Sequence, residues 1–390
     1  MIRSLFLILS ISALLFTSAP LHTFAEQEAE PMQLVENVKS AILMEKDTGA
    51  ILFEHNSDER LAPASMTKIM TMLLIMEAID SGKITLDEKV RTSEHAASMG
   101  GSQIFLEEGE EMTVDELLQA IAIASANDAS VALAEHIAGS EEAFVQLMNK
   151  RAQELGLKNT KFQNATGLPA EDHYSSARDM AIISRELLKY EDITKYTGRY
   201  ESYLRENTDK KFWLVNTNRL VKFYPGVDGI KTGFTNEAKY CLSATAEKNG
   251  MRVISVVFGA PTTKERNKQI TRMLDFAFSQ FETVPVYEKG EAIGKVRVQK
   301  GQQKFIQAQT GQKVSLLVKK GEGNENVQEE VQFIEDLRAP IKKGDTVGYL
   351  VLMKDGKELS KTELVADQDV KPASWWTLYK RSCGRFTKVN

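Results

Sequence analysis

The chain holds two cysteines among 390 residues, Cys241 and Cys383. They lie far apart, so no disulfide framework can be read from them, and a chain of this length can bury a large core without one. Neither stands at metal-ligand spacing. The five histidines, His22, His55, His95, His136 and His173, are scattered. No His–His or His–Cys pair falls at i,i+3 or i,i+4, which speaks against a zinc site. A basic stripe is missing too. Lys and Arg number 49 against 54 Asp and Glu, for a formal net charge of −5. Nucleic-acid binding wants a basic face or a recognisable module, and neither is present. No repeat of fixed period stands out.

What remains is ordinary globular composition, 42% hydrophobic and 26% charged, at a length that suggests two domains. Only the first 25 residues differ. Arg3 is the sole charge before Glu26, Leu5 to Phe16 is an apolar run, and "HTFA" ends on a small residue at Ala25. A positive start, a short apolar core and a small residue read as a cleaved secretory signal over residues 1–25. The core is short for a membrane span. The mature protein is therefore expected outside the cytoplasm.

Two apolar runs flank Asp47-Thr48-Gly49 and read as a hairpin. A helix is expected from Ser65 to Ala78. Two apolar helical stretches, Leu117–Ala124 and Ala129–Ile137, are broken by Ser125-Ala126-Asn127-Asp128, residues that favour caps and turns. Ser140 opens another helix through Leu155, and Ser176 with Asp179 resembles a capping box. "VDGIKTGFT" is a strand, and two β-rich runs meet at Lys248-Asn249-Gly250, a hairpin signal. A helix over 263–282 presents Ile270, Met273, Leu274, Ala277, Phe278 and Phe281 to one side. Strands bracketing a helical middle give an α+β domain with an antiparallel sheet over 26–282. Short runs separated by Gly-containing turns then read as a small β-sandwich or barrel over 283–370, taken as a β-sandwich domain. In the tail, residues 371–390, Trp375, Tyr379, Cys383 and Phe386 share a helical face, with Trp376 beside them. Lys380, Arg381, Arg385 and Lys388 fall elsewhere on the wheel. A basic amphipathic helix with two tryptophans suits a membrane interface, against the plainer reading of a helix docked on the protein itself.

The chemistry is carried by three short motifs. Ser65 and Lys68 stand at i,i+3, which brings Oγ and Nζ to one helical face. A serine becomes a nucleophile when a base takes its proton, and a lysine can serve once burial or a second cation lowers its pKa. Alone, the pair reads as a helix cap and a snorkelling lysine. Ser125-Ala126-Asn127 reads alone as a capped turn, and Lys231-Thr232-Gly233 as a strand terminus. Yet each is the only S-x-x-K, S-x-N and K-T-G in the chain, and each lies on the element its role needs.

In this order the motifs resemble those of the low-molecular-mass penicillin-binding proteins, the serine-type D-alanyl-D-alanine carboxypeptidases. "SANDASVALAE", "HYSSARDMA" and "DGIKTGFTNEAKYCLSATA" extend the resemblance, as do the β-rich second domain and the amphipathic tail. It implies a β-lactamase/transpeptidase-like domain, an antiparallel sheet with a helical subdomain, followed by the small all-β domain. Ser65 would be the acylated nucleophile, Lys68 its base, and Ser125 the proton relay to the leaving amine. Asn127 would hold the substrate backbone and help fix Lys68. Lys231 would stay charged, raise the local potential and orient Ser125. Thr232 and Arg266 would bind the terminal carboxylate, with Gly233 in the same substrate-binding strand. The backbone N–H groups of Ser65 and Phe234 would form the oxyanion hole. Phe234 stands where some relatives carry histidine. The implied substrate is the peptidoglycan stem pentapeptide, the implied inhibitors are β-lactams, and no cofactor or metal is called for. The tail would sit on the outer face of the cytoplasmic membrane.

Two other readings stand beside this one. A class A β-lactamase needs a glutamate-directed water, and "ATGLPAEDHYSSARD" lacks the usual pattern although Glu171 is present. A catalytically idle wall-binding protein would not need the complete motif set.

Overall fold

Five strands form one antiparallel sheet at the centre of the computed structural model, which describes residues 33–322, 326–354 and 356–386. The expected signal segment, residues 1–25, and the chain's last four residues lie outside that range. The strands are β1 (Ser40–Glu45), β2 (Ile51–His55), β3 (Val227–Thr235), β4 (Lys239–Lys248) and β5 (Met251–Ala260), in the order β2-β1-β5-β4-β3. Asn249 and Gly250 both take positive φ, as the tight β4–β5 hairpin requires. Strand alternation splits the sheet between two cores. Ala41, Leu43, Leu242, Ala244, Val253 and Val257 face Ile270, Met273, Leu274 and Ala277 of the helix Thr263–Gln280. Ile42, Met44, Ile230, Cys241, Ile254, Val256 and Phe258 face the helical part. Burial on both faces is why β4 and β5 read as nearly continuous apolar runs rather than alternating ones.

In that helical part, α1 (Lys68–Asp80) is buried almost all round, so it has no wide polar face on which to place a charge. Ser65 lies just before it, in a 3-10 turn at Ala64–Thr67, so the α-helix begins three residues later than expected. The interrupted pair is also shifted. Helix α2 (Val114–Gln119) ends in a π-turn over Ala120–Ala124, Ser125 takes the left-handed conformation at φ 65°, and α3 (Asn127–Ala138) follows. Asn127 and Asp128 therefore open a helix rather than break one. Helix α4 (Glu141–Glu154) is capped by Ser140, and α5 (Ala177–Leu187) by Ser176. Asp179 does not close the Ser176 box. Its carboxylate instead accepts from Asn159 N–H at 2.8 Å and Thr160 Oγ1 at 2.7 Å.

Seven strands follow the last helix of this domain. Phe281–Tyr287 pairs with Val314–Lys319, and Ala292–Arg297, Phe305–Thr310, Lys357–Ala366, Thr346–Lys354 and Val327–Phe333 form the second sheet in that order. Val296, Ile306, Ala308, Val347, Leu350, Leu352 and Leu364 form the core here. Val327–Phe333 was not legible in advance, because this edge strand is almost wholly exposed and reads as polar. Helix Trp375–Phe386 closes the described chain. Trp375, Trp376 and Tyr379 are exposed with their rings stacked on one another. Arg381, expected among the basic residues facing a membrane, instead donates to Gly301 O and Gln302 O, both at 2.7 Å, a contact that belongs to the plainer reading of a helix docked on the protein.

Candidate active site

The turn that carries Ser65 is gripped from two sides. A Cβ on Gly233 of β3 would lie 2.8 Å from Pro63 O and 3.2 Å from Met66 N, so only glycine lets the strand approach. On the other side, a Cβ on Gly167 would fall 1.9 Å from Ala64 O. Asn164 builds that second wall, its Oδ1 accepting from Thr166 N–H at 3.1 Å and Gly167 N–H at 2.7 Å. Beneath the turn, Thr67 Oγ1 meets His173 Nε2 at 2.8 Å, while His173 Nδ1 accepts from Gln163 N–H at 3.3 Å. That pattern makes Nε2 the protonated nitrogen of a neutral ring. Burial agrees with it, holding the His173 pKa down to about 4.

Lys68 is completely buried. Its Nζ lies 2.6 Å from Asn127 Oδ1, 2.6 Å from Thr166 O and 3.3 Å from Ser65 Oγ. Burial pushes its pKa well below the usual lysine value and Lys231 adds to the push, against a smaller opposing pull from Asp128. A neutral amine has two N–H groups and one lone pair. The two short acceptors occupy both N–H groups, which leaves the lone pair for the Ser65 hydroxyl.

Asn127 is held as firmly as the lysine it holds. Its Nδ2 donates to Gly100 O at 2.7 Å and its backbone N–H to Ser102 O at 2.7 Å. Ser125, also buried, stands two residues before it at the left-handed break. Across the cleft, Lys231 is buried on β3 and donates to Thr232 O at 3.2 Å rather than to Ser125. Burial, and then the neighbouring Arg266 guanidinium, bring its pKa down to about 7. At that value Lys231 is partly charged near neutral pH in the free protein. Arg266, buried in the first turn of the helix Thr263–Gln280, is itself lowered by burial to about 10. It donates to Asn267 Oδ1 through Nε at 3.1 Å and Nη2 at 2.9 Å. Thr232 Oγ1 donates to Thr217 Oγ1 at 2.7 Å. Phe234 is half exposed, its ring centroid 4.5 Å from that of Tyr240.

Four participants were not foreseen. Thr166 acts through a main-chain oxygen, which no side-chain pattern announces. Thr217 is one threonine in a loop, and His173 one scattered histidine. Asp128 was visible beside Asn127, but only as a turn-former. Glu171, the residue a β-lactamase reading would use, is exposed in a surface turn.

A serine hydroxyl facing a buried lysine whose pKa is pushed well down, with Lys231 and Arg266 further along the same cleft, fits a serine acyl-transfer centre. The chain belongs to the D-alanyl-D-alanine carboxypeptidase family, whose model matches residues 25–262. A second model, penicillin-binding protein 5, C-terminal domain, matches residues 281–372. The chain is 62% identical over 381 residues to D-alanyl-D-alanine carboxypeptidase DacF of Bacillus subtilis, covering 97% of this chain and 98% of that one. Among solved structures, it is similar to penicillin-binding protein 5 from Haemophilus influenzae, with a TM-score of 0.66 and 35% identity, covering 86% of this chain and 98% of that chain. It is also similar to penicillin-binding protein D2 from Listeria monocytogenes in its ampicillin-bound form, with a TM-score of 0.56 and 31% identity, covering 62% of this chain and 98% of that chain.

Proposed function

We propose that this chain is a serine-type D-alanyl-D-alanine carboxypeptidase that removes the terminal D-Ala from peptidoglycan stem pentapeptides. The observation that carries the mechanism is Lys68 Nζ, buried and pinned by Asn127 and Thr166 with Ser65 Oγ 3.3 Å away. Ser65 Oγ attacks the carbonyl carbon between the two D-Ala residues as Lys68 takes its proton. The oxyanion is received by the N–H groups of Ser65 and Phe234, each such donor being worth about 2.7–4 kcal/mol at the transition state. The C–N bond then breaks. Ser125 passes a proton to the leaving amine, and D-Ala departs with its carboxylate against Thr232, Lys231 and Arg266. Water hydrolyses the ester and restores Ser65. Asn127 holds the substrate backbone while fixing Lys68.

A penicillin offers a strained amide and a carboxylate to the same groups, so it acylates Ser65. The ampicillin-bound Listeria relative supports this. The domain plan that fits is a signal at 1–25, the peptidase at 26–282, the β-sandwich at 283–370 and the tail at 371–390. The two family-model matches support its central division. Export follows from the leader sequence and from a substrate outside the cytoplasm. The tail would act as a peripheral anchor. Trp375, Trp376 and Tyr379 are exposed as an interfacial helix requires, and among the described residues no helix is long and apolar enough to cross a membrane. The test is release of D-Ala from a peptide ending in D-Ala–D-Ala. Wild type is expected to release it and Ser65→Ala not; release by Ser65→Ala would refute the mechanism.

A further inference from the structure

Asp128 is fully buried directly after Asn127, and no step above uses it. Its carboxylate accepts from Ile104 N–H at 3.0 Å, from Leu106 N–H at 3.1 Å and from Ala129 N–H at 2.9 Å. Gripping residues 104 and 106 together turns the residue between them outward. Phe105 is 63% exposed and takes φ 57°, a conformation that costs a bulky side chain free energy and survives only where neighbours impose it. The same loop, a few residues earlier, supplies Gly100 O and Ser102 O to Asn127. At Gly101 it passes so close that a Cβ would lie 2.9 Å from Asn127 Nδ2.

We propose that Asp128 is a positioning residue of the serine–lysine centre. It clamps the 100–106 loop, and the loop holds the Asn127 amide in the orientation that pins Lys68. The chain of contacts runs from Asp128 to the N–H groups of Ile104 and Leu106, back along the loop to the carbonyls of Gly100 and Ser102, and through Asn127 to Lys68 Nζ. The inference rests on the acyl-enzyme reading. It adds that the site depends on a buried carboxylate that touches no substrate. Three titratable groups face one another here: Asp128 on α3, Lys68 on α1 and Lys231 on β3, with Arg266 behind Lys231. Asp128 is the member that favours a charged Lys68, so replacing it with a neutral residue lowers the Lys68 pKa further.

The experiment is the rate of penicillin acylation, followed by intact mass on the full mature chain across pH. Wild type, Asp128→Asn, Gly101→Ala, Asn127→Ala and the two double variants with Asn127→Ala are compared. Asp128→Asn should slow acylation roughly 10- to 100-fold, as small misplacements of a reacting group do. The low-pH limb of its rate profile should move to lower pH, which loss of loop stability alone would not cause. Gly101→Ala disturbs the loop–Asn127 contact at an exposed position, so it probes the same link even if Asp128→Asn fails to fold. In the Asn127→Ala background both changes should add less than about threefold, because residues acting through one partner are not additive. Normal acylation by either single variant, or full additivity with Asn127→Ala, overturns the proposal. If wild type itself is not acylated, the acyl-enzyme reading falls and the proposal falls with it.

Discussion

At the scale of single residues, two buried lysines are asked to do opposite things in the proposed mechanism. Lys68 must lack a proton to accept one, and Lys231 must keep one to meet a carboxylate. Lys68→Arg is expected to lower penicillin acylation by at least about 100-fold, the smaller end of what a general base contributes, because a guanidinium does not deprotonate. Near-normal acylation would remove Lys68 as the base. The sign of the pH dependence follows. Acylation falls as pH drops through the depressed Lys68 pKa, since protonation occupies the lone pair. Lys231, at about 7, loses charge above neutrality, so kcat/KM for a carboxylate-ended peptide declines on the alkaline side. Arg266 is the cation that lowers Lys231. Arg266→Ala should therefore move that alkaline limb to higher pH while weakening cleavage overall. The same peptide with an amidated terminus should suffer less. Equal losses on both substrates, with no shift of the limb, would make Arg266 structural.

At the scale of elements, the site is the meeting of a turn, a strand and two loops. Gly233→Ala places a methyl group against Pro63 O and Met66 N and should push β3 away from Ser65. Acylation should drop well beyond any change in melting temperature; an unchanged rate would show that the strand has room to move. His173 supports the turn from below and gives a stability signal. Its folded pKa of about 4 lies below the usual 6.5, so the unfolded chain binds the extra proton first. Its contribution is complete above about pH 6.5 and is lost as pH falls towards 4, about 3 kcal/mol in all. Thermal melts from pH 7 to 4 should show a steeper fall for wild type than for His173→Asn; parallel slopes would assign the acid sensitivity elsewhere. Much at this scale was legible beforehand. The central strands, the Asn249–Gly250 hairpin and the Ser140 and Ser176 caps each have a local chemical signature. The start of α1, the π-turn before Ser125 and the strand Val327–Phe333 do not. The first two are set by packing of the Ser65 turn and the Asn127 loop. The third is an edge strand whose pairing gives no apolar pattern. Within the site, the motifs announced which side chains meet, and Lys68 does contact Ser65 and Asn127. The oxygen of Thr166 and the clamp at Asp128 were not announced, because both depend on where distant backbone returns.

At the scale of the whole molecule, a catalytic domain is followed by an all-β domain and an aromatic helix. Arg381 is tied to the carbonyls of Gly301 and Gln302; in the proposed anchor, each basic residue near an anionic surface would contribute about 1 kcal/mol. In that anchor the exposed Trp375 and Trp376 would add a part that salt does not screen. Cutting the chain after Asp369 should give an active enzyme that no longer sediments with anionic vesicles. Equal sedimentation of the full mature and shortened forms, at low and high salt, would retire the anchor. The central claim, that Ser65 forms the acyl-enzyme, is tested most directly by mapping the site of a penicillin adduct by mass spectrometry in wild type and Ser65→Ala. A single adduct is expected, on the peptide containing Ser65 and absent from the variant. An adduct on any other residue, or one that persists in Ser65→Ala, would contradict it.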